Sequence, residues 1–193
     1  MPSIYLVGDM ENDLVHADGP NGKSAGGQQV QSRGIVAKTQ AATARARAAG
    51  VKIAFVRVGF SPDYKECPPN SPVFSGARKN GMFKLGAWGT EIHPELTVQP
   101  EDFQVVKHRV SPFYATNFEA ILRANGITRI YVSGFSTNGV VHAAVREGHD
   151  RDYEIVVLED CCAAGSADEH TMALATFKRY CNAVTASTEV EFA

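Results

Sequence analysis

Short, continuous apolar runs rich in β-branched residues recur along the chain, and the segments between them carry helical spacing. Runs that are apolar throughout, rather than alternating, suit strands buried on both faces, so the pattern predicts a parallel sheet covered by helices on both sides. The predicted strands are residues 4–8, 52–58, 103–107, 129–134, 154–158 and 183–186. Residues 35–49 form an Ala/Arg-rich helix closed by Gly50, where a C-terminal cap belongs. Residues 117–124 put Phe118, Ile121 and Leu122 on one face, with Thr116 and Glu119 as a capping box and Asn125-Gly126 as the stop. Residues 138–148 stack Val140, Val141, Ala144 and Val145. Ser166 and Glu169 make a second capping box, opening a helix that runs to Tyr180. The fold class is therefore α/β: one doubly wound domain over residues 1–193, with a mostly parallel six-stranded sheet.

Two stretches interrupt the alternation. Residues 11–33 are polar and Gly-rich, and residues 59–99 hold most of the prolines and the sole tryptophan, Trp88. Loops longer than about 12–15 residues in a compact domain are usually functional or disordered. Phe74, Met82, Phe83, Leu85 and Trp88 give the second stretch material to pack, which favours a lid over a disordered insertion.

Composition narrows the function. The apolar fraction of 44% and charged fraction of 21% are those of a globular chain. A net charge of -2 and a pI near 6.3 remove the electrostatic case for nucleic acid or an anionic membrane as partner. No apolar run approaches the ~18 residues of a membrane helix. The N-terminus enters a strand without a basic, cleavable leader, so a cytoplasmic protein is expected. Cys67, Cys161, Cys162 and Cys181 show neither CxxC nor Cys/His spacing, so neither zinc nor disulfides are expected.

Ligands of open parallel sheets bind outside the carboxyl ends of the strands. The first predicted strand is followed by Asp9, the second ends near Arg57 and the third ends in Lys107. The fourth runs into Gly134-Phe-Ser-Thr-Asn-Gly-Val-Val-His142, and the fifth is followed by Cys161 and Cys162. A lone acid after a strand is more often a cap than a catalyst. An acid, a lysine and a helix N-terminus on one rim instead supply a proton carrier, a cation and an amide cradle. Hydrolysis is the chemistry that this set suggests, on a small-molecule substrate.

Three blocks resemble the isochorismatase-like, or cysteine hydrolase, superfamily. Asp9-Met-Glu-Asn-Asp-Leu14 is similar to the family's Asp-x-Gln-x-Asp-Phe, departing at Glu11 and Leu14. Lys107-His-Arg-Val-Ser-Pro-Phe-Tyr-Ala-Thr116 is similar to Lys-x-x-x-Ser-x-Phe-x-x-Thr, and the stretch from Gly134 to Gly-x-x-Thr-x-x-Cys-Val. The resemblance implies a sheet ordered 3-2-1-4-5-6, Asp9 as general acid/base and Lys107 as its partner. It also implies an oxyanion cradle at Gly139 and Val140, a non-proline cis peptide around Phe135–Ser136, and homo-oligomers.

The chain departs from the family where the nucleophile stands, because Val140 occupies the cysteine position. A valine cannot attack a carbonyl. Cys161 and Cys162 are more simply read as small buried hydrophobes. Thr137 has no base identified for it, and turn geometry is its competing role. The nicotinamidase-type metal ligands are also missing, with Asp63-Tyr64-Lys65 and a lone His93 in their region. No cofactor or metal is expected.

What remains is chemistry by acid and base alone. The favoured expectation is an isochorismatase-type hydrolysis of a vinyl ether in a small anionic substrate. Arg57, Trp88, Phe113, Ser136 and Thr137 are then candidate substrate contacts, although Trp88 and Phe113 are equally readable as packing. Arg78, Lys79 and Lys84 would add charge from the lid. The alternatives are an amide or imide hydrolase in which Asp9 activates water directly, a binding protein on a degenerate hydrolase fold, and a valine introduced in place of cysteine.

Overall fold

A computed structural model describes residues 1–193. The six apolar runs form β1 (Ser3–Gly8), β2 (Lys52–Val58), β3 (Phe103–Lys107), β4 (Arg129–Phe135), β5 (Glu154–Ala163) and β6 (Ala183–Thr185). They make one sheet in the order β3-β2-β1-β4-β5-β6, with every neighbouring pair parallel. The chain starts at the centre, winds to one edge, then crosses back to build the other half. Gly8 is level with Val56 on one side and Gly134 on the other, so β1 and β4 end together where the winding reverses. That reversal opens the crevice in which ligands of such sheets sit.

The helices are α1 (Asn12–Val15), α2 (Ala25–Arg33), α3 (Ile35–Ala48), α4 (Ala77–Asn80), α5 (Phe118–Ala124), α6 (His142–His149) and α7 (Ala167–Phe177). Alternate residues of β1 serve opposite faces, as the two-residue period of a strand requires. Ile4 and Leu6 join Phe118, Leu122, Val145 and Phe177 in one core. Tyr5 and Val7 join Val30, Ile35, Ala42 and Ala46 in the other. None of the helices is long and apolar enough to cross a membrane.

Several boundaries differ from the sequence expectation. Helix α2 lies inside the polar 11–33 stretch, where Ser24 caps it by accepting a bond from the Gly27 N–H at 3.1 Å. Strand β5 runs five residues past 158, and its register against β4 shifts between Val132 and Gly134. Cys161 and Cys162 thus lie within the strand, fully buried, rather than after it. The expected helix over 138–148 is a π-helical turn, Thr137–Val141, followed by α6. The Thr116–Glu119 capping box does not form. Thr116 caps through the Phe118 N–H at 3.1 Å, while two guanidinium groups, Arg151 at 2.9 Å and Arg123 at 3.3 Å, hold the Glu119 carboxylate.

Residues 59–99 pack around Phe60, Tyr64, Phe74 and Phe83, with the Phe60 and Phe74 rings edge to face at 5.4 Å. Trp88 is not part of this cluster and is 46% exposed. The segment is fastened to the residues after β1. Asp13 Oδ2 accepts from the Phe83 N–H at 2.6 Å, Asn12 Nδ2 donates to the Trp88 carbonyl at 2.9 Å, and Glu11 bridges to Ile92.

Candidate active site

Strand β1 delivers Asp9 in a left-handed conformation, φ 54°, a region in which Asp is among the best-tolerated side chains. Its N–H still donates to the Val56 carbonyl at 2.7 Å, so the residue is held at the rim while its side chain leaves the strand direction. Lys107 is the last residue of β3 and pairs in register with Val58 of β2. Neighbouring strands lie about 4.8 Å apart, so β3 is about 10 Å from β1, within reach of an extended lysine stem meeting an aspartate. The two side chains meet at 2.9 Å between Nζ and Oδ2, and both are buried. Lys107 also donates to the Arg109 carbonyl at 3.1 Å. Asp9 Oδ1 has no partner in the protein. Burial pushes the Asp9 carboxyl above its ordinary pKa, and Lys107 partly offsets the rise.

The third side of the site is the turn after β4. A Cβ on Gly134 would come within 1.9 Å of the Gly8 carbonyl oxygen, so only glycine lets β4 run this close to β1. The Phe135–Ser136 peptide is cis. Val140 follows in the π-helical turn, almost fully buried, and a Cβ on Gly8 would lie 3.0 Å from both of its methyl groups.

These elements enclose a cavity of about 470 Å³. Asp9 and Lys107 share it with Phe135, Ser136, Gly139 and Val140 from the β4 side. Leu14, Val58 and Val110, with Val73, Phe74, Ala77, Met82 and Phe83 from the 59–99 segment, make the rest largely apolar. Ser136, Asn80 and Asn138 are its neutral polar side chains, and the Asn138 amide is itself tied to Glu169 at 3.1 Å. Lys107 is the only lysine, arginine or histidine in the lining.

Of the residues singled out in the sequence, Asp9, Lys107, Ser136, Gly139 and Val140 come together around this cavity, and the other four do not. Arg57 donates to the Thr90 carbonyl at 2.9 Å, outside the lining. Trp88 stacks edge-on against His16 at 5.0 Å. Phe113 belongs to the core under α5 and α6, with its ring 5.2 Å from that of Phe118. Thr137 is buried with its hydroxyl 2.8 Å from His170 Nδ1, turned from the cavity into the α7 side. Arg78, Lys79 and Lys84 are absent from the lining: Arg78 donates to the Tyr64 carbonyl at 3.1 Å and Lys84 lies over the Tyr64 ring. The Gly139 N–H donates to the Ser136 carbonyl at 3.0 Å, so it is not available to a ligand.

Sequence reasoning gave no role to Glu11 beyond noting it as a departure. It is fully buried and neither carboxyl oxygen has a partner. The only signal was the acid itself, two residues beyond Asp9, in a segment otherwise read as a polar loop.

A model of the isochorismatase domain matches residues 3–189 of the chain. A ureidoacrylate amidohydrolase of Pseudomonas syringae pv. syringae is 34% identical over 171 residues, covering 82% of this chain and 69% of the relative. Among solved structures, a cysteine hydrolase from Pseudomonas syringae pv. phaseolicola superposes with a TM-score of 0.85 at 23% identity, covering 97% of this chain and 89% of that one. An N-carbamoylsarcosine amidase from Thermoplasma acidophilum superposes with a TM-score of 0.76 at 25% identity, covering 99% of both chains.

Proposed function

Because the chain belongs to the isochorismatase family of hydrolases, we propose that it hydrolyses a small amide, imide or ureide, with Asp9 activating water directly and no covalent enzyme intermediate. The observation that carries this reading is the buried Asp9–Lys107 pair, 2.9 Å apart, at the base of a mainly apolar cavity. Lys107 holds the carboxylate charged, and the Asp9 carboxylate takes a proton from water in the cavity it lines. The developing oxyanion is met by the Val140 N–H and the Ser136 hydroxyl, and Asp9 returns its proton to the leaving nitrogen. Residues 59–99 act as the lid over this chemistry. Valine at position 140 leaves water as the nucleophile.

The charge in the lining selects the substrate class. A dianion would need cations beyond the one already engaged by Asp9, which disfavours an isochorismate-like substrate. The amidohydrolase name of the relative 34% identical to this chain agrees with an amide. The absence of a thiol at position 140 favours one second reading, hydrolysis of a vinyl ether by protonation from Asp9.

A substrate panel separates them. Ureidoacrylate, small neutral amides and cyclic imides are assayed for ammonia or ring opening, and isochorismate for pyruvate. Turnover of an amide or imide that falls at least 100-fold in Asp9→Asn is expected. Pyruvate release without amide turnover replaces the first reading with the second. Turnover unchanged by Asp9→Asn overturns both.

A further inference from the structure

Asp9 and Glu11 are both buried at the end of β1, and a single lysine serves them. Lys107 Nζ is 2.9 Å from Asp9, whereas Glu11 has neither a cation nor a hydrogen-bond donor on either oxygen. The charged groups acting on Glu11 are Asp9 and Asp13 from its own segment, Lys107 from β3 and Arg57 from β2. Arg57 spends one nitrogen on the Thr90 carbonyl, and its buried Nε has no acceptor, so it does not hydrogen-bond Glu11. A carboxylate closed to solvent, with neither donor nor ion pair, costs far more to keep ionised than to keep as the acid. The three acids, Asp9, Glu11 and Asp13, face two cations, Lys107 and Arg57, so the cluster balances its charge when it keeps one proton, and the acid without a partner is where that proton is cheapest.

We propose that Glu11 is a positioning residue for Asp9, standing protonated behind the Asp9–Lys107 pair so that Asp9 is the ionised member. This inference rests on the reading of Asp9 as the proton carrier. Burial and the neighbouring Asp9 charge both push the Glu11 carboxyl well above its ordinary pKa, in agreement with this assignment. Ionising Glu11 at higher pH sets a second negative charge against Asp9 and raises the proton affinity of Asp9 in turn. Glutamine has the same shape and cannot ionise, so Glu11→Gln separates the proton from the packing.

The test needs no substrate. With side-chain carboxyl carbons labelled with 13C, the Glu11 resonance is assigned through bonds in the wild-type protein and followed by NMR from pH 4 to 10, beside that of Asp9. The expected result is a Glu11 carboxyl still protonated at pH 7, whose ionisation also moves the Asp9 resonance. In Glu11→Gln that second inflection of Asp9 disappears. A Glu11 carboxyl that ionises near pH 4.5, or an Asp9 curve unchanged by Glu11→Gln, overturns the proposal. If the variant does not fold, the wild-type curves decide alone: an Asp9 resonance indifferent to the Glu11 step also overturns it. Either failure leaves the amide hydrolysis assay untouched, and failure of that assay leaves these curves interpretable.

Discussion

Lys107→Met is the most informative perturbation of the Asp9–Lys107 pair. Methionine keeps most of the stem and removes the ammonium, leaving a buried Asp9 whose Oδ1 already lacks a partner. The carboxyl must then remain ionised without its cation or take up a proton. Breaking a buried pair by removing one member costs about 3–5 kcal/mol. Protonation at pH 7 of an acid whose unfolded pKa is about 4 costs about 1.4 kcal/mol for each of about three units, or ~4 kcal/mol. The two routes agree, so a loss of about 4 kcal/mol at pH 7 is expected. Without its cation the folded Asp9 pKa rises further above the unfolded value. The stability of the variant is therefore greatest below the unfolded pKa and is lost as pH rises through the folded one. By pH 5 the protonation route costs only about 1.5 kcal/mol, and the deficit shrinks accordingly. Urea unfolding followed by circular dichroism at pH 5, 6, 7 and 8 measures this directly. The double variant Asp9→Asn/Lys107→Met carries no buried charge at this pair and recovers to within about 1.5 kcal/mol of wild type. A Lys107→Met deficit that is flat across pH, or a double variant as unstable as the sum of the singles, refutes the electrostatic account.

Two other expectations follow from the site. Asp13→Ala leaves the Phe83 N–H, now bonded at 2.6 Å, without its acceptor, at a cost of about 1–3 kcal/mol, and limited proteolysis within residues 59–99 accelerates. Unchanged cleavage rates would show that this bond does not restrain the lid. Val140→Cys sets a thiol on the cavity wall, where iodoacetamide labels it in the folded protein, and amide turnover increases. Cys161, whose thiol is pushed up to about 12 by burial, stays unlabelled under the same conditions. Mass spectrometry of the digest distinguishes the two, and no label at position 140 would count against its place in the cavity.

The strands were legible because a parallel sheet buries both faces and writes itself as unbroken apolar runs. Strand β5 was cut short at 158 because Glu159 and Asp160 follow. Both find partners only in three dimensions: Arg33 neutralises Glu159 at 3.0 Å, and the Ser187 N–H and hydroxyl donate to Asp160. Helix α2 escaped notice because its first turn holds Gly26 and Gly27, poor helix formers. The second is needed where α2 packs against its own entry loop, since a Cβ there would lie 2.2 Å from the Asn21 carbonyl oxygen. Asp9 and Lys107 could be read because strand ends and topology alone bring them to one rim. Phe113 and Thr137 stand in the same blocks and Arg57 near the end of β2, but their rotamers are decided by neighbours from distant elements, and Thr137 faces His170 of α7. The apolar wall opposite Asp9 was hidden for the same reason: its residues come from a segment without periodicity.

The stitching between the 59–99 segment and residues 10–13 limits how the enzyme can admit a molecule. Bonds with Met10, Asn12 and Asp13 hold His93, Trp88, Glu91 and Phe83, so the second half of that long arm is moored to the stretch that follows Asp9, and its start is joined to that half where the Phe60 N–H donates to the Phe83 carbonyl at 2.7 Å. Swinging the whole arm outward would pull on residues 10–13, and with them on Asp9. The exposed point of the arm that also borders the cavity is Val73, 67% exposed, while Phe74 and Ala77 beside it are held in the segment's own core. Of the three, Val73 is the position where bulk can be changed without emptying that core or touching the Asp9–Lys107 pair.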